Sequence, residues 1–232
     1  MVDLGFLSPL AEWWFVVPWY VVGSAGAIWA LTDMYTVNTP VSEGQKWAWP
    51  IIIFFFSVIG LAFYLLTARA PGIGEVEGDE ARERHREFMS SMFNRTTASV
   101  IHCVGGDGLG VVTAMIFARI VGLGFWGEFW LEYAVGFAFG WFIFQYKSQK
   151  MHARSKPHAI WRAARAEWFS MITVMAGMGL VMGFATPLTV GEQPTPNTFA
   201  FWGFASLGLL VGYLLTYPMN WMLIKIEYKH GM

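Results

Sequence analysis

Six apolar stretches, each long enough to cross a lipid bilayer, run through this chain at 13–31, 49–67, 98–121, 126–146, 168–187 and 199–225. A helical crossing of the hydrocarbon core takes roughly 17–25 predominantly apolar residues. Six of them in 232 residues leave little chain for anything else. With 56% hydrophobic and 13% charged residues, a water-soluble fold of this size could not hide its apolar surface in one core. The expected fold class is an all-α integral membrane protein with six transmembrane helices. Its expected partner is the lipid bilayer. A net charge of −1 supplies no field for a polyanion, so no nucleic acid is expected. Residues 1–10 hold no Lys or Arg, which argues against a secretory signal peptide there.

The linkers carry turn or charge signals. Asn38, Pro40 and Gly44 separate the first two stretches, Gly122 and Gly124 mark a tight turn, and Pro194 and Pro196 precede the sixth stretch. Residues 78–92 read as a charged cytoplasmic helix leading into the third stretch. The chain therefore divides into 1–68 (two transmembrane helices), 69–97 (charged helix and loop) and 98–232 (a four-helix membrane core). Lysine and arginine set the orientation. Segment 69–95 has Arg69, Arg82, Arg84, Arg86 and Arg95; segment 147–165 has Lys147, Lys150, Arg154, Lys156, Arg162 and Arg165; the tail has Lys225 and Lys229. With six crossings only Lys46 and Arg119 fall on the other side, so both termini are expected in the cytoplasm. Tryptophan belts follow: Trp29, Trp47, Trp49, Trp126, Trp130 and Trp202 at the outer interface, and Trp13, Trp14, Trp161, Trp168 and Trp221 at the inner one. The acid-free segment 147–165 reads as a topology determinant or as a site for anionic lipid.

Glycines four apart let helix backbones approach closely in lipid. They recur as Gly106 and Gly110, Gly136 and Gly140, Gly179 and Gly183, and Gly208 and Gly212, one pair in each of the last four stretches. The first two stretches lack that spacing and carry bulky residues such as Phe54, Phe55 and Phe56. This predicts a Gly-packed core of spans three to six with two peripheral helices facing lipid or membrane-protein partner subunits.

Ionisable groups at membrane depth are costly and mark functional sites. The third stretch holds His102, Cys103 and Asp107. At 100° per residue, Cys103 and Asp107 lie about 40° apart, and His102 about 140° from Asp107. The sixth stretch brings Tyr217, Pro218 and Asn220 to a similar depth; Pro218 leaves the Leu214 carbonyl unpaired and predicts a kink. Together His102, Cys103, Asp107, Tyr217 and Asn220 form a candidate polar centre. In the fifth stretch Met171, Met175, Met178 and Met182 fall within about 60° of one another, in a row about 16 Å long. Thioethers and a thiol select Cu(I), so the sharp reading is a copper path from the Met row to Cys103 and His102, with copper as its metal. The plainer reading makes the Met row gap-filling packing and the polar residues a buried network that fixes helix packing. A proton relay through His102 and Asp107 is a third reading. It calls for an acid deep in the outer half, where Glu128 and Glu132 read as interfacial groups paired with Arg119 or water.

The run His102-Cys103-Val104-Gly105-Gly106-Asp107-Gly108 resembles the H-C-x-x-G-D-G stretch of the bacterial domain-of-unknown-function family numbered 4396. The similarity continues through Leu131-Glu132-Tyr133, Gly140-Trp141-Phe142-Ile143-Phe144-Gln145, Ser170-Met171, Met175-Ala176-Gly177-Met178, Tyr217-Pro218-Met219-Asn220-Trp221 and Lys229-His230-Gly231-Met232. It covers the third to sixth stretches and implies a bacterial inner-membrane protein with no established activity. The lone Cys103 rules out a dithiol metal site.

Two functions compete on these residues: small-cation handling or transport of the Cu(I) type through the polar centre and Met row, or a non-catalytic accessory subunit docked through its first two spans. No nucleophile, acid–base pair or redox metal motif stands at an accessible position, so the chain is not expected to be an enzyme.

Overall fold

The computed structural model describes residues 4–145 and 156–228. Tyr146, residues 147–155 of the basic segment and the terminal Lys229-His230-Gly231-Met232 run lie outside the described residues. The chain is all-helical, with no strand among the described residues. A short 3-10 segment, Gly5–Ala11, precedes α1 (Trp13–Thr36), α2 (Glu43–Thr67), α3 (Gly78–Met89), α4 (Met92–Val121) and α5 (Phe125–Ala138). Helix α5 continues as a π-helical segment, Phe139–Gln145. Then come α6 (Lys156–Met178), a second π-helical segment (Gly179–Ala185), the short α7 (Thr186–Val190) and α8 (Phe199–Lys225).

Helix ends fall where capping chemistry puts them. Ser91 accepts a hydrogen bond from the Asn94 amide to start α4, Gly122 ends it at φ 70°, and Thr198 accepts from the Phe201 amide to start α8. Five helices among the described residues are long and apolar enough to cross a membrane. Helix α4 is the central one, with 78% of its apolar window buried, against 22% for α1. The fourth apolar stretch is not among these five; its α-helical part runs 14 residues and then continues as a π segment.

Helix α2 qualifies by length, yet it does not run straight. At Ser57 the backbone turns to φ 51°, ψ −127°, and the two halves fold against each other. A Cβ on Gly60 would lie 2.8 Å from the Ile53 Cα, whereas residues seven apart on a straight helix are about 10 Å apart along the axis. The freed backbone groups at the bend are taken by α1: Ser57 Oγ donates to the Trp19 carbonyl at 2.7 Å, and Trp19 Nε1 donates to the Phe55 carbonyl at 2.8 Å. Both ends of α2 therefore return to the end of the bundle that holds α3. There Tyr64 donates to Asp33 at 2.6 Å, and Asn38 donates to the Ala68 carbonyl at 3.0 Å. At the same end Val37 packs on Ala70, Ile73 and Ala81.

This arrangement corrects the expected topology. The start of α1 sits beside the start of α8, where Tyr20 donates to the Trp202 carbonyl at 3.1 Å and shares a hydrogen bond with Ser206. That is the same end as Arg119 and the 190–197 turn. The end of α8 lies beside the start of α4 through Ser99 and Asn220. The N-terminal and C-terminal helices thus begin and finish at opposite ends of the bundle, not at the same end. The bend brings α2 back to the end of the bundle from which it starts, and the later helices keep the relative directions expected of them. Trp13 and Trp14 move to the Arg119 end, and Trp29, Trp47 and Trp49 to the α3 end, the reverse of the expected belts. Lys46 joins Arg69, Arg82, Arg84, Arg86, Arg95, Arg165 and Lys225 at the α3 end. Arg119 alone among the described basic side chains stands at the other.

The helix packing departs from expectation in two further ways. Helix α2 is not peripheral: Trp49, Ile52, Ile53 and Phe56 are buried, and Gly105 of α4 rests on Ala48. The glycine contacts are also uneven. Gly110 meets Gly136, and Gly208 and Gly212 meet Met178 and Val174, but Gly179 and Gly183 have nothing within 4 Å. Gly177, two residues before Gly179, is the one that touches Gly212. Two residues on a helix amount to about 200° of rotation, so Gly179 points away from the face that packs.

Candidate functional site

Helix α4 presents two faces to its neighbours in the half of the bundle nearest α3. On one face His102, 2% exposed, lies against the first turn of α2, where a Cβ on Gly44 would come within 2.7 Å of its Nε2. On the other, Cys103 and Asp107 are completely buried and point toward α5 and α6. This separation is the one the helical angles require, so the candidate centre divides: His102 belongs to the α2 contact and Cys103 with Asp107 to another.

The second face holds a residue that sequence reasoning missed. Glu167 of α6 is wholly buried, and Cys103 donates its S–H to Glu167 Oε2 at 3.7 Å. The other carboxylate oxygen, Oε1, is buried with no hydrogen-bond partner among the described residues. It approaches Gly140. A Cβ on that glycine would sit 2.5 Å from Glu167 Oε1 and would also collide with Asp107 Oδ1. The two carboxylates, from α4 and α6, therefore converge on the spot left empty by the side chain Gly140 lacks. Gly140 lies in the π-helical segment, and such wide turns recur at functional sites. Glu167 stands one residue ahead of the fifth apolar stretch as read from hydropathy. Its signal was the i, i+3, i+4 spacing to Ser170 and Met171, which are buried on the same helix face.

Asn220 of α8 occupies a separate network a turn further toward α3. It accepts from Ser99 Oγ at 3.2 Å and donates to Ser170 Oγ at 3.4 Å and to the Thr216 carbonyl at 3.2 Å. These bonds tie α4, α6 and α8 together, and α8 runs on through Pro218 as one helix. Tyr217 lies outside this group, half-buried among Phe93, Tyr213 and Trp221.

The four methionines are all buried. Met171 fills the notch at Gly136, its Cε 2.6 Å from where a Cβ would be, and Met178 sets its sulfur over Gly208. Met182 accepts a weak hydrogen bond from Thr186 at 3.8 Å. Unbranched thioethers seated over glycines are what close packing of a Gly-rich bundle asks for. Among the described residues no three of His, Cys, Asp and Glu come together as a metal-ligand set.

At the opposite end, Arg119 donates from Nε to Glu128 at 2.8 Å. Glu132, read as interfacial, is buried with 8% of its surface exposed.

The model of the family described as domain of unknown function DUF4396 matches residues 92–229, more than half of the chain. The chain belongs to this family. The DUF4396 portion opens at the first residue of α4 and contains Cys103, Asp107, Gly140, Glu167 and Asn220. Gly44, the neighbour of His102, lies ahead of it. A second model, described as phospholipase D-nuclease N-terminal, matches residues 25–69, which is the latter part of α1 with the folded α2. No curated protein and no solved structure matches the chain.

Proposed function

We propose that this DUF4396 protein is a proton-handling protein of the bacterial inner membrane, with Asp107 and Glu167 as its proton-binding pair. The observation that carries the reading is their convergence over Gly140. Two unit negative charges 4 Å apart repel by about 4 kcal/mol at an effective dielectric of 20. Two carboxylates facing one gap are a place where a shared proton or a cation relieves that repulsion. The Cys103 thiol, donating to the far oxygen of Glu167, holds the carboxylate in place. The expected soft-metal path loses its support, because the Met171 and Met178 side chains are accounted for by Gly136 and Gly208. A carboxylate pair suits a proton or hard cation better than Cu(I). In this reading the pair carries a cation, and the protein acts as a carrier.

In this reading α1, α4, α5 with its π extension, α6 with its own, and α8 cross the bilayer, while α2 enters and leaves on one side. The α3 end is cytoplasmic because it gathers the basic residues. The test is proton uptake by proteoliposomes loaded with a pH-sensitive dye, driven by a potassium diffusion potential. Asp107→Asn and Glu167→Gln should each abolish uptake while eluting as folded, monodisperse protein. Uptake at the wild-type rate in both variants would overturn the assignment.

A further inference from the structure

The Asp107–Glu167 pair lies toward the α3 end, and a route across the membrane needs a second station nearer the other. Residues 132, 136 and 140 repeat every four positions and share one face of α5 and its π-helical continuation. Gly140 marks the carboxylate pair. At Gly136 the space a side chain would fill is taken by Met171 Cε at 2.6 Å and Val111 Cγ2 at 2.7 Å, with the Asp107 carbonyl at 3.2 Å. At position 132 the face carries a buried carboxyl, one helical turn beyond Glu128.

Arg119 makes its direct carboxylate contact with Glu128. Its Nε is bonded to Glu128 at 2.8 Å, its Nη2 to Gln193 at 3.1 Å and its Nη1 to the Pro194 carbonyl, and its guanidinium stands 5.5 Å from the Phe201 ring centre. Arg119 is thus committed to Glu128, and Glu132 is the buried carboxyl on the face shared with Gly136 and Gly140. The eight residues from 132 to 140 amount to about 12 Å along the helix, and the Gly110–Gly136 contact closes that interval.

We infer that Glu132 is the outer proton station of a route along the α4–α5 seam, and that Met171 and Val111 form the gate between it and the Asp107–Glu167 pair. This rests on the proton-handling reading. Met171 is unbranched and has more rotatable bonds than the β-branched Val111, which makes it the moving part of the gate.

The experiment uses the same proteoliposomes. Glu132→Gln should cut proton flux at least tenfold, and Met171→Ala should raise it severalfold by thinning the plug. Met171→Ala is read on its own should Glu132→Gln fail to fold. Wild-type flux in Glu132→Gln, with flux lost in Asp107→Asn and Glu167→Gln, would overturn the outer station and leave the pair standing. Unchanged or lower flux in Met171→Ala would overturn the gate. Wild-type flux in every variant would remove the pair and the route together.

Discussion

Arg69 Nε lies 3.1 Å from Asp33 Oδ1, joining the residue just past α2 to the last turn of α1. The Asp33 carboxylate is buried and also accepts from Tyr64, so one short bridge fixes the ends of two long helices at a single level. A straight α2 could not make this contact. Reporter fusions give the check. A fusion after Lys46 should read the same compartment as one after Arg84, and a tag ahead of Trp13 the opposite one. Opposite readings for Lys46 and Arg84 would restore a straight α2.

Gly140→Ala should destabilise the protein by about 1–3 kcal/mol, the usual cost of overpacking a filled core. The added methyl lands on Asp107 and Glu167 at once. Thermal unfolding in detergent measures the loss. Gly140→Ala should also impair proton uptake, since the two carboxylates must part to admit it.

A paired substitution separates glycines that pack from glycines that do not. Gly177→Ala would push into the Gly212 backbone and should unfold at clearly lower temperature than wild type. Gly179→Ala meets open space and should stay within about 0.5 kcal/mol, as surface changes do. Equal effects at the two positions would contradict the observed helix register.

Burial holds His85 of α3 below the ordinary histidine range. The folded state thus prefers the neutral ring, and the undocked helix takes up a proton first. Docking of α3 is fully stable above the ordinary value of about 6.5 and weakens as pH falls through it toward the lower folded value. Protection factors of the amides across residues 78–89, taken relative to intrinsic exchange at each pH, should fall between neutral pH and pH 5. His85→Gln should abolish that fall.

Much of this was legible in the residues. Hydropathy located the five helices long and apolar enough to cross a membrane, and the 40° between Cys103 and Asp107 placed them on one face. The fold of α2 was not legible, because its two halves together read as one apolar run and Ser57 is an unremarkable residue there. The bend depends on Trp19 offering a carbonyl and an indole N–H from another helix, information no local window contains. That one bend inverted the inferred side of everything before it. Glu167 escaped for a different reason: a lone acid at the lip of an apolar stretch looks solvated until Gly140 and Cys103 are brought beside it.

The π segment at Phe139–Gln145 carries more residues per turn than the α-helix leading into it. Each wide turn is the geometric record of one inserted residue, accommodated without breaking the hydrogen-bonded column. Removing one residue from this segment should let it relax to ordinary α geometry, turning Gly140 away from the carboxylates by up to about 100°. Chain length here therefore acts as a setting for which side chains meet. A one-residue deletion could leave the helix intact while erasing the site it frames.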